Sequence, residues 1–159
     1  MPYGVVYLRE RRGWLTEYVP PGGLKGKRVL DVGAGCGESA KFFLEQGALR
    51  ALCVENNVQA RTLLGINARN HVGVDVVGFN FDPDVHMRIP ADFVKVDIEG
   101  YEIQLYDWLR LNPEFDVDMV VECHSVYVKD RFLELGFVGG EDPPWGLASS
   151  ARIMHRWKK

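Results

Sequence analysis

The nine residues from Asp31 to Ser39, DVGAGCGES, constrain this chain more than any others. Gly33, Gly35 and Gly37 take alternate positions between the apolar run Arg28 to Val32 and an amphipathic stretch from Glu38 to Gln46. Glycine allows tight backbone turns and lets a ligand come close to the main chain. A helix that starts directly after such a loop adds free N–H groups and the positive end of its dipole. Strand, glycine loop and helix together make the opening unit of a parallel α/β sheet.

The rest of the chain repeats that alternation. Apolar runs at Ala51 to Glu55, Val74 to Phe79, Phe93 to Val96 and Met119 to Glu122 read as further buried strands. Between and after them, Val58 to Asn70, Glu102 to Leu111 and Val126 to Leu135 read as helices, with Asn112-Pro113 and Gly136 as stops. Phe137-Val138 and Ala151 to Trp157 are expected to close the sheet as an antiparallel pair. The fold expected is a Rossmann-like, three-layer α/β sandwich with a mostly parallel sheet. Ligands bind such sheets at the carboxyl ends of the strands, near the switch in strand order. Residues 1–26, with β-like runs at Val5 to Leu8 and Leu15 to Val19, read as an N-terminal arm or hairpin, and residues 27–159 as the main domain.

Composition narrows the class of protein. A chain of 159 residues fits one domain and buries a core without disulfides. A net charge of -3 argues against a surface coated by nucleic acid, so the basic residues near the two ends read as solvated surface. Cys36, Cys53 and Cys123 form no zinc or redox spacing and suit a reducing compartment. With no apolar span or leader in the sequence, a cytoplasmic protein without membrane contact is expected.

The glycine spacing also discriminates between ligands. A dinucleotide loop would place its third glycine where Glu38 stands, and that carboxylate sits badly beside a pyrophosphate. GxGxG after Asp31 better suits a ligand that carries both an ammonium and a carboxylate, as the methionine part of S-adenosyl-L-methionine does. Loop N–H groups can receive the carboxylate, and Asp31 can attract the ammonium directly or through water. Glu55, closing the second strand, can accept two hydrogen bonds from a ribose diol. Asn56 beside it, and Asn80-Phe81 after the third strand, are placed to meet an adenine edge or face.

Two more stretches, DFVKVDIEGYE (Asp92 to Glu102) and DMVVECH (Asp118 to His124) followed by Leu135-Gly136-Phe137, resemble the FkbM family of S-adenosylmethionine-dependent methyltransferases. The resemblance covers about residues 27–138. It implies a seven-stranded sheet, cofactor contacts from Asp31, Gly33, Gly35 and Glu55, and methyl transfer to oxygen. Ala34-Gly35-Cys36 departs from the family's usual loop, and the chain leaves little length for a lid over an acceptor.

Asp97 and Glu99 follow the fourth strand, while Glu122 and His124 end the fifth and share one side of it. If those strands are neighbours, the four side chains converge. A hydroxyl acceptor needs its proton removed, and His124 or Asp97 can take it. A divalent metal held by the cluster is the competing reading; Glu99 and Glu122 as mere caps or ion-pair partners is the third. The expected activity is methyl transfer to a small-molecule or sugar-like hydroxyl acceptor. An NAD-dependent oxidoreductase and a non-catalytic cofactor-binding module are the alternatives.

Overall fold

The computed structural model describes residues 13–15, 17–139 and 152–158. β1 (Arg28–Val32) is buried from its second residue to its last, which suits only the centre of a sheet. It pairs in parallel with β2 (Arg50–Val54) on one side and β4 (Phe93–Val96) on the other. β3 (Val74–Gly78) continues the sheet beyond β2, and β5 (Asp118–Cys123) continues it beyond β4. β7 (Arg152–Arg156) runs antiparallel to β5 and to β6 (Val138–Gly139), so the seven strands lie in the order β3-β2-β1-β4-β5-β7-β6. The order reverses between β1 and β4, and the functional cleft is expected at that crossing.

Strand alternation decides which side chains meet which helices. Leu30, Val32, Val94, Val96, Met119 and Val121 face α4 (Glu102–Leu111) and α5 (Val126–Glu134), which cover that side with Leu105, Trp108, Leu109, Val128 and Phe132. Val29, Phe93 and Val120 point the other way, into a cluster with Phe42 and Phe43 of α1 (Glu38–Glu45). Ala51 and Cys53 meet Leu64 of α2 (Val58–Asn70) on that same side. Asn57 caps α2, its side chain accepting from the N–H groups of Gln59 and Ala60.

Two local features differ from what the sequence predicts. Residues 13–15 and 17 are helical, not part of a β-run, and the Tyr18 N–H donates to the Trp14 carbonyl at 2.8 Å. The spacing of four puts both rings on one helix face, stacked at 5.8 Å, where they pack with Phe42 and Phe43. α3 (Pro83–His86) has no counterpart in the sequence reading, because one turn is too short to show periodicity; Asp82 caps it and Pro83 starts it. On α1, Ala40, Phe42 and Phe43 are buried and Leu44 is partly covered. The run Val5 to Leu8 lies outside the described residues.

Gly33 is where β1 leaves the sheet. Its φ of 77° is left-handed, and a Cβ built there would lie 1.6 Å from the Asp97 carbonyl oxygen. That contact is backbone and cannot swing aside. Gly33→Ala is therefore expected to cost about 3 kcal/mol or more in urea unfolding, strain and overpacking together. Gly22→Ala, with open space around it, should change stability by less than about 0.5 kcal/mol.

Candidate functional site

The carboxyl ends of four parallel strands wall a cleft of about 750 Å³. Gly33 and Gly35 come from the turn after β1, Glu55 and Asn56 from the end of β2, and Phe79, Asn80 and Phe81 from the end of β3. Asp97, Ile98 and Glu99 follow β4, and Tyr101 and Gln104 enter from the start of α4. Glu99 has φ 48°, the single non-glycine in the left-handed region among the described residues. Such backbone strain persists where surrounding structure holds it, often in functional walls. A smaller hollow of about 120 Å³ adjoins through Gly33, Gly35 and Asp97, and Trp14, Tyr18 and Glu38 also line it.

Glu55 is only 7% exposed, yet it lines the cleft. Its two oxygens accept the N–H groups of Gly35 at 2.8 Å and Asn57 at 2.7 Å, locking the carboxylate between the glycine loop and the start of α2. The loop N–H groups are thus already engaged. Gly33 and Ala34 donate to the Val54 carbonyl, and Cys36 donates to the Glu38 carboxylate at 3.0 Å. From the other side Asn67 donates to the Cys36 carbonyl at 2.7 Å. Free loop donors for a ligand carboxylate, expected from the sequence, are therefore absent from Gly33 to Cys36 in this arrangement.

Asp31 and Gly37 lie behind the wall and not in it, unlike the other six predicted cofactor contacts, Gly33, Gly35, Glu55, Asn56, Asn80 and Phe81. Asp31 is fully buried, and it sits opposite Lys95 in the β1–β4 register. The Ser39 hydroxyl donates to its Oδ2 at 2.6 Å, and the Lys95 ammonium lies 3.3 Å from its Oδ1. A neighbouring cation in the same register explains why this carboxylate turns inward. Gly37 takes a left-handed φ of 97° to begin α1, and a Cβ built there would lie 3.0 Å from Leu64.

Lys95 also donates to the Gly33 carbonyl at 2.8 Å and lies 3.6 Å from Asp97 Oδ2. Burial alone would push its ammonium down, but the carboxylates of Asp31 and Asp97 outweigh that and hold its pKa above the usual lysine value. Lys95 is buried and does not extend toward solvent.

β4 and β5 are neighbours, and three of the four expected side chains, Asp97, Glu122 and His124, converge, while Glu99 lines the cleft without joining them. His124 Nε2 lies 3.6 Å from Asp97 Oδ1, and Glu122 stands beside them. Glu102, which the sequence reading used only to start a helix, supplies the link it missed. Its carboxylate is fully buried and meets His124 Nδ1 at 2.6 Å, while Gly100 N–H donates to the same oxygen at 3.0 Å. That hydrogen bond raises the His124 pKa; burial would push Glu102 up, but the bonds from His124 and Gly100 hold it below its usual value. An acid in the first turn of a helix ordinarily signals only the dipole, which hid this one.

The sequence matches no protein-family model and no curated protein. In shape the chain is similar to solved methyltransferases. The C-terminal domain of precorrin-6Y C5,15-methyltransferase from Rhodobacter capsulatus aligns at TM-score 0.67 and 16% identity, over 95% of this chain and 89% of that one. Aeropyrum pernix fibrillarin, solved with natively bound S-adenosyl-L-methionine, aligns at TM-score 0.58 and 14% identity, over 82% and 66%. An O-methyltransferase family protein from Burkholderia thailandensis aligns at TM-score 0.64 and 9% identity, over 96% of this chain and 57% of that one. The chain has the fold of the Rossmann-like methyltransferases.

Lys95→Met tests the buried network. Removing the ammonium leaves Asp31 and Asp97 without it, and breaking a buried ion pair costs about 3–5 kcal/mol. Urea denaturation of Lys95→Met should show a loss of that order; a loss under about 1 kcal/mol would refute the stabilising role.

Proposed function

We propose that this chain is an S-adenosyl-L-methionine-dependent methyltransferase acting on a hydroxyl acceptor of small-molecule or sugar-like chemistry. The observation that carries the cofactor reading is the charge of the cleft. Glu55, Asp97 and Glu99 line it, and among the described residues no lysine or arginine does. S-adenosyl-L-methionine brings a sulfonium and an ammonium against one carboxylate, so it is drawn to such a wall. The pyrophosphate of NAD is repelled by it. About 750 Å³ also suits a ligand of nucleoside size.

The residues divide the work by position. Each Glu55 oxygen, already turned by one main-chain N–H, keeps a further lone pair for a ribose hydroxyl. Phe79 and Phe81 offer faces for adenine, and Asn56 and Asn80 offer its edge hydrogen bonds. Gly33 and Gly35 give close main-chain approach. Asp31 and Gly37 act at one remove, by fixing the loop through Ser39, Lys95 and the start of α1.

When bound, the cofactor would supply an electrophilic methyl group to the acceptor oxygen, its sulfur keeping the S–C electron pair, so that the protein is left with the hydroxyl proton to remove. Asp97 and His124 promote that proton's departure, with Glu102 holding the imidazole in place. Orientation of the acceptor beside Asp97 supplies the rest. The resemblance to the FkbM family supports oxygen as the acceptor atom.

Calorimetric titration should show S-adenosyl-L-methionine and S-adenosylhomocysteine binding, with NAD far weaker; tighter NAD binding ends this reading. Glu55→Ala should keep its circular dichroism spectrum but bind the cofactor roughly ten- to hundredfold less tightly, the effect of losing hydrogen bonds to a charged acceptor. With an acceptor found by screening hydroxylated compounds against labelled cofactor, Asp97→Asn and His124→Ala should lose about a hundred- to ten-thousandfold in turnover while cofactor affinity holds. Full turnover in both variants would remove them from the chemistry.

A further inference from the structure

We propose that Asp97, Glu122 and His124 form a binding site for one divalent cation of the manganese type, beside the cleft. One ligand atom from each residue lies within 4.8 Å of the other two, and all three side chains are partly exposed. Donors around a common ion of this size sit about 2.1 Å from it, so opposed pairs are about 4.2 Å apart. Small side-chain rotations close the observed spacing.

The sheet builds this juxtaposition. Val96 of β4 pairs with Val121 of β5, so the residue after each, Asp97 and Glu122, stand level at adjoining strand ends. His124 follows two residues later on the same side of β5. Lys95 faces Asp97 Oδ2, which leaves Oδ1 toward the imidazole.

The imidazole is the independent sign of a ligand. Its Nδ1 is held at 2.6 Å by a fully buried carboxylate that can only accept, which puts the proton on Nδ1. Nε2 then points at Asp97 from 3.6 Å, beyond hydrogen-bond length. A histidine oriented by an inner carboxylate, with its other nitrogen aimed among carboxylates, is the arrangement that prepares imidazole for a metal. Two carboxylate oxygens and one imidazole suit first-row divalent ions, manganese among them, and not soft ions that need thiolate.

For its purpose the inference rests on the proposed methyltransferase reading. An acceptor hydroxyl bound to the cation would be acidified and release its proton to solvent. Asp97 and His124 would then act as ligands.

The test uses the full chain and manganese chloride alone, with no cofactor, read by electron paramagnetic resonance of free Mn²⁺ and by calorimetry. Saturable binding at one ion per chain is expected, lost in His124→Gln and in Glu122→Gln. Glu102→Gln, which touches no ion, should weaken affinity about ten- to hundredfold. Absence of saturable binding in the unaltered chain overturns the proposal, as does unchanged affinity in a folded His124→Gln or Glu122→Gln. Because cofactor titration is separate, manganese binding without cofactor binding sinks only the methyltransferase reading, and the converse sinks only this one.

Discussion

Lys95 carries a positive charge into the middle of the sheet, where an unpaired ammonium would be strongly disfavoured. Three groups accept it: the Asp31 carboxylate across the β1–β4 register, the Gly33 carbonyl in the glycine loop, and the Asp97 carboxylate after β4. The two strands flanking the switch in strand order are thereby pinned at the level where the cleft opens. Asp31 in turn fixes Ser39 on α1, so the loop is held at both of its ends. Gly33 passes so close to Asp97 that only glycine fits, which makes the crossing narrow as well as tied.

That network leaves the cleft with a sign. The buried Lys95 ammonium is taken up by Asp31, the Gly33 carbonyl and one oxygen of Asp97, while Glu55, Glu99 and the other Asp97 oxygen remain along the wall. The loop N–H groups that attract phosphate in nucleotide-binding proteins are here turned onto the protein's own acids, Gly35 to Glu55 and Cys36 to Glu38. A glycine loop of the same general shape therefore presents a surface suited to a cationic ligand.

On the far side of Asp97 the same logic runs through His124. Glu102 lies in the first turn of α4 and His124 just past β5, yet the two meet at 2.6 Å because α4 packs across that edge of the sheet. A buried acid thus sets the orientation of an imidazole that faces a half-exposed carboxylate. Two chemically distinct regions, one along Glu55 and one along His124, share Asp97 between them.

Strand and helix periodicity, broken by Gly and Pro, was enough to place β1, α2, β4 and α4 at their observed bounds, because period and punctuation are local properties. The glycine loop and Glu55 were legible for the same reason: each lies directly at the end of its own strand. Pairing across the fold was not. Whether Asp31 faces a ligand or a lysine depends on which residue of β4 lies opposite, and strand register is decided by the whole sheet. Trp14 and Tyr18 read as an arm until Phe42 and Phe43 gave them a surface to cover. The residue types at the cleft came from the sequence alone; the inward turn of Asp31 and the meeting of Glu102 with His124 came from tertiary packing, since buried charges settle against whichever partners the fold brings within reach.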